Sequence, residues 1–185
     1  PLLPLQILFI NLVLDVFPAL ALGVGESPPG SMERPPRDPK EPILTRRHWI
    51  ATALWGLLIG VAATTTFFAA LGPLALGQEQ AVSIAFLTFA LARLWHVFNM
   101  RDAGSPLFNN EVVQNRWIWY AIALCLGLLA ATWLPGMTTI LGLVTLDPIG
   151  WVLIVTGSLV PVLVGQLVLS LMPAAASQPA EYPAQ

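Results

Sequence analysis

The chain has 185 residues, of which 56% are hydrophobic and 10% are charged, and its formal net charge is −2. Soluble domains average about 25% charged residues, so this composition excludes an ordinary soluble enzyme. The single cysteine, Cys125, excludes a disulfide framework and a metal–thiolate cluster, and we interpret it as a buried structural thiol. We therefore expect an all-α integral membrane protein whose main partner is the lipid bilayer, with no nucleic-acid partner.

Five apolar stretches are each long enough to cross a hydrocarbon core of about 30 Å, which needs about 20 helical residues. Their hydrophobicity does not alternate, so they are helices rather than strands of a barrel. The predicted spans are residues 5–24, 49–71, 81–100, 117–134 and 149–172. Residues 1–172 thus form one transmembrane bundle, and the Pro- and Ala-rich residues 173–185 are expected to be a disordered cytoplasmic tail.

The distribution of basic residues predicts the direction of the chain through the membrane. The connections at 72–80 and 135–148 contain no Lys or Arg, whereas Arg101 and Arg116 bound the third connection. The first connection is the most basic, with Arg34, Arg37, Lys40, Arg46 and Arg47. Because basic loops stay on the cytoplasmic side, the positive-inside rule predicts an outside N-terminus and a cytoplasmic C-terminus.

Polar residues in the first span point to an ion site. A carboxylate such as Asp15 is costly inside a membrane helix and is functional by default. Asn11 lies four residues earlier and therefore on the same helix face, where both side chains can offer oxygen ligands to a cation such as calcium. Pro18 has no N–H for the carbonyl of Leu14, which is thereby released as a third oxygen. The alternative is that Asn11 and Asp15 bond to a neighbouring helix and Pro18 only kinks the span.

The order of these residues resembles a known family. The segment LQILFINLVLDVFPALALGVGESPPGSMERPPRDPKEPIL resembles the sixth membrane helix and following loop of calcium-type P-type ATPases, with the N-L-x-x-D-x-x-P core intact as Asn11, Leu12, Asp15 and Pro18. FLTFALARLWHVFNMRDAGSPLF resembles the eighth helix. The resemblance implies that the chain is the sixth to tenth helices of such a pump. It also implies that Asn11 and Asp15 bind the transported cation together with residues of two earlier helices.

Two residues depart from the family pattern. Many two-ion pumps carry Thr at the position of Leu14 and Glu or Gln at that of Arg93, and both changes remove oxygens from one of the two ion positions. We hypothesise that Arg93 is a built-in counter-ion for Asp15 and that the pump carries one ion per cycle. The alternative is that Arg93 extends to the lipid headgroups. His96 is interpreted as an interhelical hydrogen-bonding residue rather than a ligand.

The sequence contains no D-K-T-G phosphorylation motif, no T-G-E loop and no Gly-rich nucleotide loop. An enzyme activity with Mg²⁺ and ATP would therefore belong to a longer polypeptide, whose other helices and cytoplasmic domains would be this chain's partners, in the plasma membrane. The resemblance implies that the basic first loop contacts the phosphorylation domain. The alternatives are a pump for manganese, sodium or protons, a non-catalytic membrane scaffold, and, ranked last, a secondary transporter.

Overall fold

A computed structural model of the chain describes residues 2–25, 44, 46–101 and 110–171. Within these ranges every regular element is helical. In chain order they are α1 (Pro4–Phe9), a π-helical turn (Ile10–Leu14), α2 (Val16–Gly23), α3 (Arg46–Leu71), α4 (Gln78–His96), a 3-10 turn (Val97–Met100), α5 (Glu111–Gln114), α6 (Arg116–Ala131), α7 (Met137–Leu141) and α8 (Pro148–Leu171). The prediction of an all-α membrane bundle is confirmed.

Among the residues that the structure describes, four helical segments have the length and hydropathy to cross a membrane, namely Pro4–Gly23, His48–Leu71, Gln78–Met100 and Pro148–Ser170. We call Pro4–Gly23 the first span. The predicted span at 117–134 differs, because its helix, α6, ends at Ala131. Beyond it, backbone bonds from Thr132, Trp133 and Leu134 to carbonyls three residues back tighten the chain into turns. Leu134 precedes Pro135, and a residue before proline is disfavoured in the α conformation.

Helix α4 is the central element and packs against both α3 and α8. Small residues bring the three helices together. A Cβ atom at Gly157 of α8 would meet the methyl groups of Thr66 on α3 and Thr88 on α4. The Thr66 hydroxyl lies 2.9 Å from the Ala63 carbonyl oxygen and 3.4 Å from the Thr88 hydroxyl, so the buried polar groups have partners. This contact therefore needs glycine at position 157.

Beyond this contact, buried polar side chains join the end of α4 to α8. Arg101 is 4% exposed and donates from Nε to Gln166 Oε1 at 2.9 Å. The Gln166 amide donates to the Phe98 carbonyl at 2.8 Å and to Asn99 Oδ1 at 3.0 Å. Asn99 fills the space that a side chain at Gly165 would need. We call Asn99, Arg101 and Gln166 the amide cluster, and it fixes the end of α4 against α8.

The first span lies against both α4 and α6. Its α2 part packs along α6, its α1 part contacts α7, and the π-helical turn contacts α4 and α6. The rings of Phe9 and Phe86 are 6.1 Å apart at their centroids and support the contact with α4. This arrangement places the middle of the first span beside the middle of α4.

The outer face of α3 is apolar and open. Gly56 and Gly60 are spaced for close approach of another helix. A Cβ at either position would have no atom within 4 Å among the described residues, and a shallow groove of about 760 Å³ runs along this face. Large apolar side chains beside them, such as Leu57 and Phe68, are mostly exposed, as expected for a surface whose solvent is lipid.

Candidate intramembrane ion site

The backbone of the first span departs from α-helical geometry just before Asp15. The Asp15 N–H donates to the carbonyl of Ile10, five residues earlier, at 3.1 Å, which closes a π-helical turn. Such turns occur frequently at functional sites. The disturbance predicted from Pro18 is therefore a widened helical turn with its own hydrogen bonds, rather than a loss of helix, and it lies on the N-terminal side of the proline.

The carbonyl of Leu14 cannot receive a helical bond from position 18, because proline has no N–H. Its described hydrogen-bond donor is the Cys125 thiol of α6, with Sγ 3.8 Å from the oxygen. The Leu14 side chain is 3% exposed and packs in the core. The predicted third ligand, the Leu14 carbonyl oxygen, thus already accepts one weak hydrogen bond. A carbonyl oxygen has two lone pairs, so this bond does not use all of its capacity as an acceptor.

Asn11, Asp15 and Arg93 come together between the first span and α4. Arg93 Nη2 lies 2.5 Å from Asp15 Oδ2, and Arg93 Nη1 lies 3.5 Å from Asn11 Oδ1. The Arg93 and Asp15 side chains are 34% and 33% exposed, so the pair lies at an open edge of the bundle. The guanidinium carbon is also 5.6 Å from the centre of the Phe89 ring, a cation–π distance that helps to hold Arg93.

The chemistry of this cluster suits a hard cation but does not complete its shell. One carboxylate and one amide supply oxygen atoms, whereas calcium takes six to eight oxygens. No group of three His, Cys, Asp or Glu side chains occurs within residues 2–25, 44, 46–101 and 110–171. A bound cation would compete with the permanent charge of Arg93 for the oxygens of Asp15.

His96 lies outside this cluster, although it follows Arg93 by three residues. Its ring is 5.3 Å from that of Trp55 on α3, and its Nδ1 is 3.3 Å from Asn99 Nδ2. It therefore packs on α3, and its described hydrogen bond stays within its own helical segment rather than joining two helices. Arg34, Arg37 and Lys40 of the basic loop, and the tail at 173–185, lie outside the described residues.

Three contacts of the first span were not predicted from the sequence. Gln6, Cys125 and Asn115 each make a hydrogen bond between the first span and the segment of α6 and α7. Gln6 carried a signal, because a polar side chain in an apolar span needs a partner. Asn115 carried another, because Asn directly before an apolar helix is a typical N-cap. For Cys125 the sequence offers no signal beyond burial.

Comparison with known proteins identifies the family. Residues 1–171 match the sequence model of the family described as "Cation transporting ATPase, C-terminus". A calcium-transporting ATPase of Bacillus subtilis is 35% identical over 162 residues, which cover 87% of this chain and 18% of that protein. A calcium-transporting ATPase of Listeria monocytogenes is 36% identical over 136 residues, covering 74% of this chain and 15% of that protein.

Calcium-transporting ATPase 1 of Lactococcus lactis is 34% identical over 139 residues, covering 73% of this chain and 15% of that protein. The chain thus spans less than a fifth of the length of these relatives, with shares of 18%, 15% and 15%. The match with the family model extends over both the first span and α4, the two helices that carry Asn11, Asp15 and Arg93. The chain therefore belongs to the cation-transporting ATPase family, of which it represents the C-terminal region.

Proposed function

We propose that this chain is the membrane part of a longer ATP-driven pump and contributes Asn11 and Asp15 to the site of the transported cation. The observation that carries the proposal is the meeting of an amide, a carboxylate and a guanidinium at the π-helical turn in the middle of the first span. Ionisable groups inside a membrane line ion paths by default. Residues from other helices of the pump complete the ligand shell.

Calcium is the proposed cargo. Carboxylate and amide oxygens are the ligands that calcium prefers, and the similar proteins of Bacillus and Listeria are calcium-transporting ATPases. In the pump, cytoplasmic domains bind Mg²⁺ and ATP and form an aspartyl phosphate, and this drives the site open on alternate sides of the membrane. Manganese, sodium and protons are the rival cargoes, since oxygen ligands alone discriminate poorly among hard cations.

We further propose that the pump carries one cation per cycle. Arg93 contacts both proposed ligands, and its fixed charge takes the place that a second cation would need. Leu14, whose side chain is buried and apolar, offers no side-chain oxygen there. Arg93 acts as a built-in counter-ion that keeps Asp15 paired when no cation is bound.

The proposed location is the plasma membrane. In the proposed orientation, the N-terminus of the first span lies outside the cell and the end of α8 lies in the cytoplasm. The asymmetry of Lys and Arg among the connections supports it. The basic first connection then faces the phosphorylation domain of the pump.

Counting ions tests the proposal. The full-length pump is reconstituted in vesicles, and cation uptake and ATP hydrolysis are measured together for calcium, manganese and sodium. We expect one calcium ion per ATP in the wild type. In Arg93→Gln, which lacks the built-in positive charge, we expect the number of calcium ions or the net charge moved per ATP to change. Two calcium ions per ATP in the wild type would overturn the counter-ion role. ATP hydrolysis that does not depend on any of these cations would overturn the cation site itself.

A further inference from the structure

The first span is tied to the segment of α6 and α7 at three depths. At its beginning, Gln6 has no exposed surface. Its Oε1 accepts from the Leu3 N–H at 3.0 Å, and its Nε2 donates to the carbonyl of Leu141, the last residue of α7, at 2.9 Å. Both ends of this buried amide are satisfied, so its cost of burial is offset.

A second tie lies near the other end of the first span. Asn115 is the N-cap of α6, where its Oδ1 accepts from the Trp117 N–H at 2.9 Å. Its Nδ2 donates to the carbonyl of Ala21 in α2, also at 2.9 Å. One side chain therefore starts α6 and holds α2 beside it, and the two tasks use different atoms.

The third tie lies between these two, at the ion site. The Cys125 thiol of α6 donates to the Leu14 carbonyl, which has lost its helical donor to Pro18. A buried carbonyl without a partner costs free energy in hydrocarbon, so the thiol stabilises the backbone directly before Asp15.

The ties at residues 6, 14 and 21 cover about 22 Å of helix, at 1.5 Å per residue. Toward α4, the side-chain hydrogen bonds described for the first span are those of Arg93 to Asp15 and Asn11. Side-chain hydrogen bonds thus tie the first span to α6 and α7 at three depths, whereas its described contacts with α4 include the ion pair of Arg93 with Asp15 and the packing of Phe9 on Phe86.

We propose that Gln6, Asn115 and Cys125 are positioning residues of the cation site. They hold the first span on α6 and α7 at the height and rotation that place Asn11 and Asp15 opposite Arg93. None of the three touches the cation. This inference rests on the proposed function.

The experiment uses the full-length pump and measures the cation concentration for half-maximal ATP hydrolysis, the maximal rate and the temperature of unfolding. Gln6→Met keeps the length of the side chain but removes both its donor to Leu141 and its acceptor for the Leu3 N–H. Asn115→Asp keeps the Oδ1 cap on Trp117 and removes the donor to Ala21. Cys125→Ala removes the thiol, and Cys125→Ser restores a donor. Thr132→Val is the matched control, because the described hydrogen bond of the buried Thr132 hydroxyl is local, to the Leu129 carbonyl of α6.

We expect Gln6→Met and Asn115→Asp to raise the half-maximal cation concentration severalfold while the maximal rate changes less than twofold. Cys125→Ala should give a smaller rise that Cys125→Ser reverses. Thr132→Val should leave the half-maximal cation concentration unchanged, even if its unfolding temperature falls as far as that of Gln6→Met or Asn115→Asp. Asn115→Asp keeps the inference testable if Gln6→Met does not fold, because it preserves the helix cap.

Asp15→Asn, measured beside them, separates the two levels of the proposal. If Asp15→Asn changes the cation dependence and the tie variants do not differ from Thr132→Val, the positioning role is wrong and the proposed site stands. If Asp15→Asn retains the wild-type cation dependence, the proposed site is wrong, and the positioning role falls with it.

Discussion

Helix α4 makes two different kinds of contact. On the side that faces α3 and α8, small residues and the amide cluster fill the contact. Toward the first span, the described polar contact is the partly exposed ion pair of Arg93 with Asp15, and Arg93 also donates a hydrogen bond to Asn11. Arg93 within α4 and Arg101 just after its end show how the two contacts differ in exposure. Arg101 is 4% exposed, whereas the Arg93 side chain is 34% exposed. Gln166 bonds to Arg101, Phe98 and Asn99, so its amide oxygen and nitrogen both have partners.

This difference predicts separate roles for the two arginines, a structural one for Arg101 and one in the proposed ion site for Arg93. A buried network whose members are satisfied makes the structure rigid, because any rearrangement leaves a polar group without a partner. An ion pair at an open edge can exchange partners, because a cation or another donor can replace either charge. We infer that the contact of α4 with α3 and α8 rearranges less readily than the ion pair of Arg93 with the first span.

The largest expected effect comes from removing the negative charge of Asp15 in the first span. Asp15→Asn keeps the size of the side chain and one oxygen, but it removes the negative charge that attracts a cation. We expect the cation concentration for half-maximal ATP hydrolysis in the full-length pump to rise by about a hundredfold, which corresponds to about 2.7 kcal/mol of binding free energy. An unchanged activation curve for calcium would contradict the assignment of Asp15.

A smaller effect, on stability, is expected from the amide cluster. Arg101→Met removes a buried guanidinium and leaves the part-buried amide oxygen of Gln166 without that partner. We expect the free energy of unfolding to fall by about 2 kcal/mol, the cost of an unsatisfied buried group. Arg93→Met is the matched comparison and should cost less, because the lost partner, Asp15, is partly exposed. Thermal unfolding in detergent measures both, and equal losses would remove the distinction between the two arginines.

The smallest effect concerns the glycines. Gly157→Ala places a methyl group against Thr66 and Thr88, and it should destabilise the contact of α8 with α3 and α4 by about 1 kcal/mol. Gly60→Ala is the matched control, because its methyl group meets no atom within 4 Å among the described residues. Its unfolding temperature should equal or exceed that of the wild type, since alanine favours helix over glycine. A larger loss for Gly60→Ala would show that another helix packs on the open face of α3.

Much of the fold followed from local signals. Long apolar runs gave the four long spans, because hydrocarbon thickness sets helix length regardless of tertiary contacts. The end of α6 at Ala131 was missed, since hydropathy continues to Leu134, whereas Pro135 has no N–H to bond to the Ala131 carbonyl and continue the helix. Hydropathy alone does not report where backbone hydrogen bonds stop.

The candidate site was predictable in part for a similar reason. Asn11 and Asp15 are four residues apart, and helical periodicity alone places them together. The contact of Asp15 with Arg93 joins residues 78 positions apart, and it was hypothesised through the family resemblance rather than through spacing. The bonds of Gln6 to Leu141 and of Asn115 to Ala21 join residues 135 and 94 positions apart. Helix packing decides such pairs, and one sequence does not contain that information.

The π-helical turn at Ile10–Leu14 holds one residue more than an α-helical turn would. Such a turn can change from π-helical to α-helical hydrogen bonding without a break in the helix. Each residue of an α-helix contributes about 100° of rotation. Relaxation would therefore turn Asp15, together with the residues that follow it, about the helix axis relative to Gln6. The π-helical turn is thus a point at which a change of backbone hydrogen bonding would reorient the carboxylate without interrupting the helix.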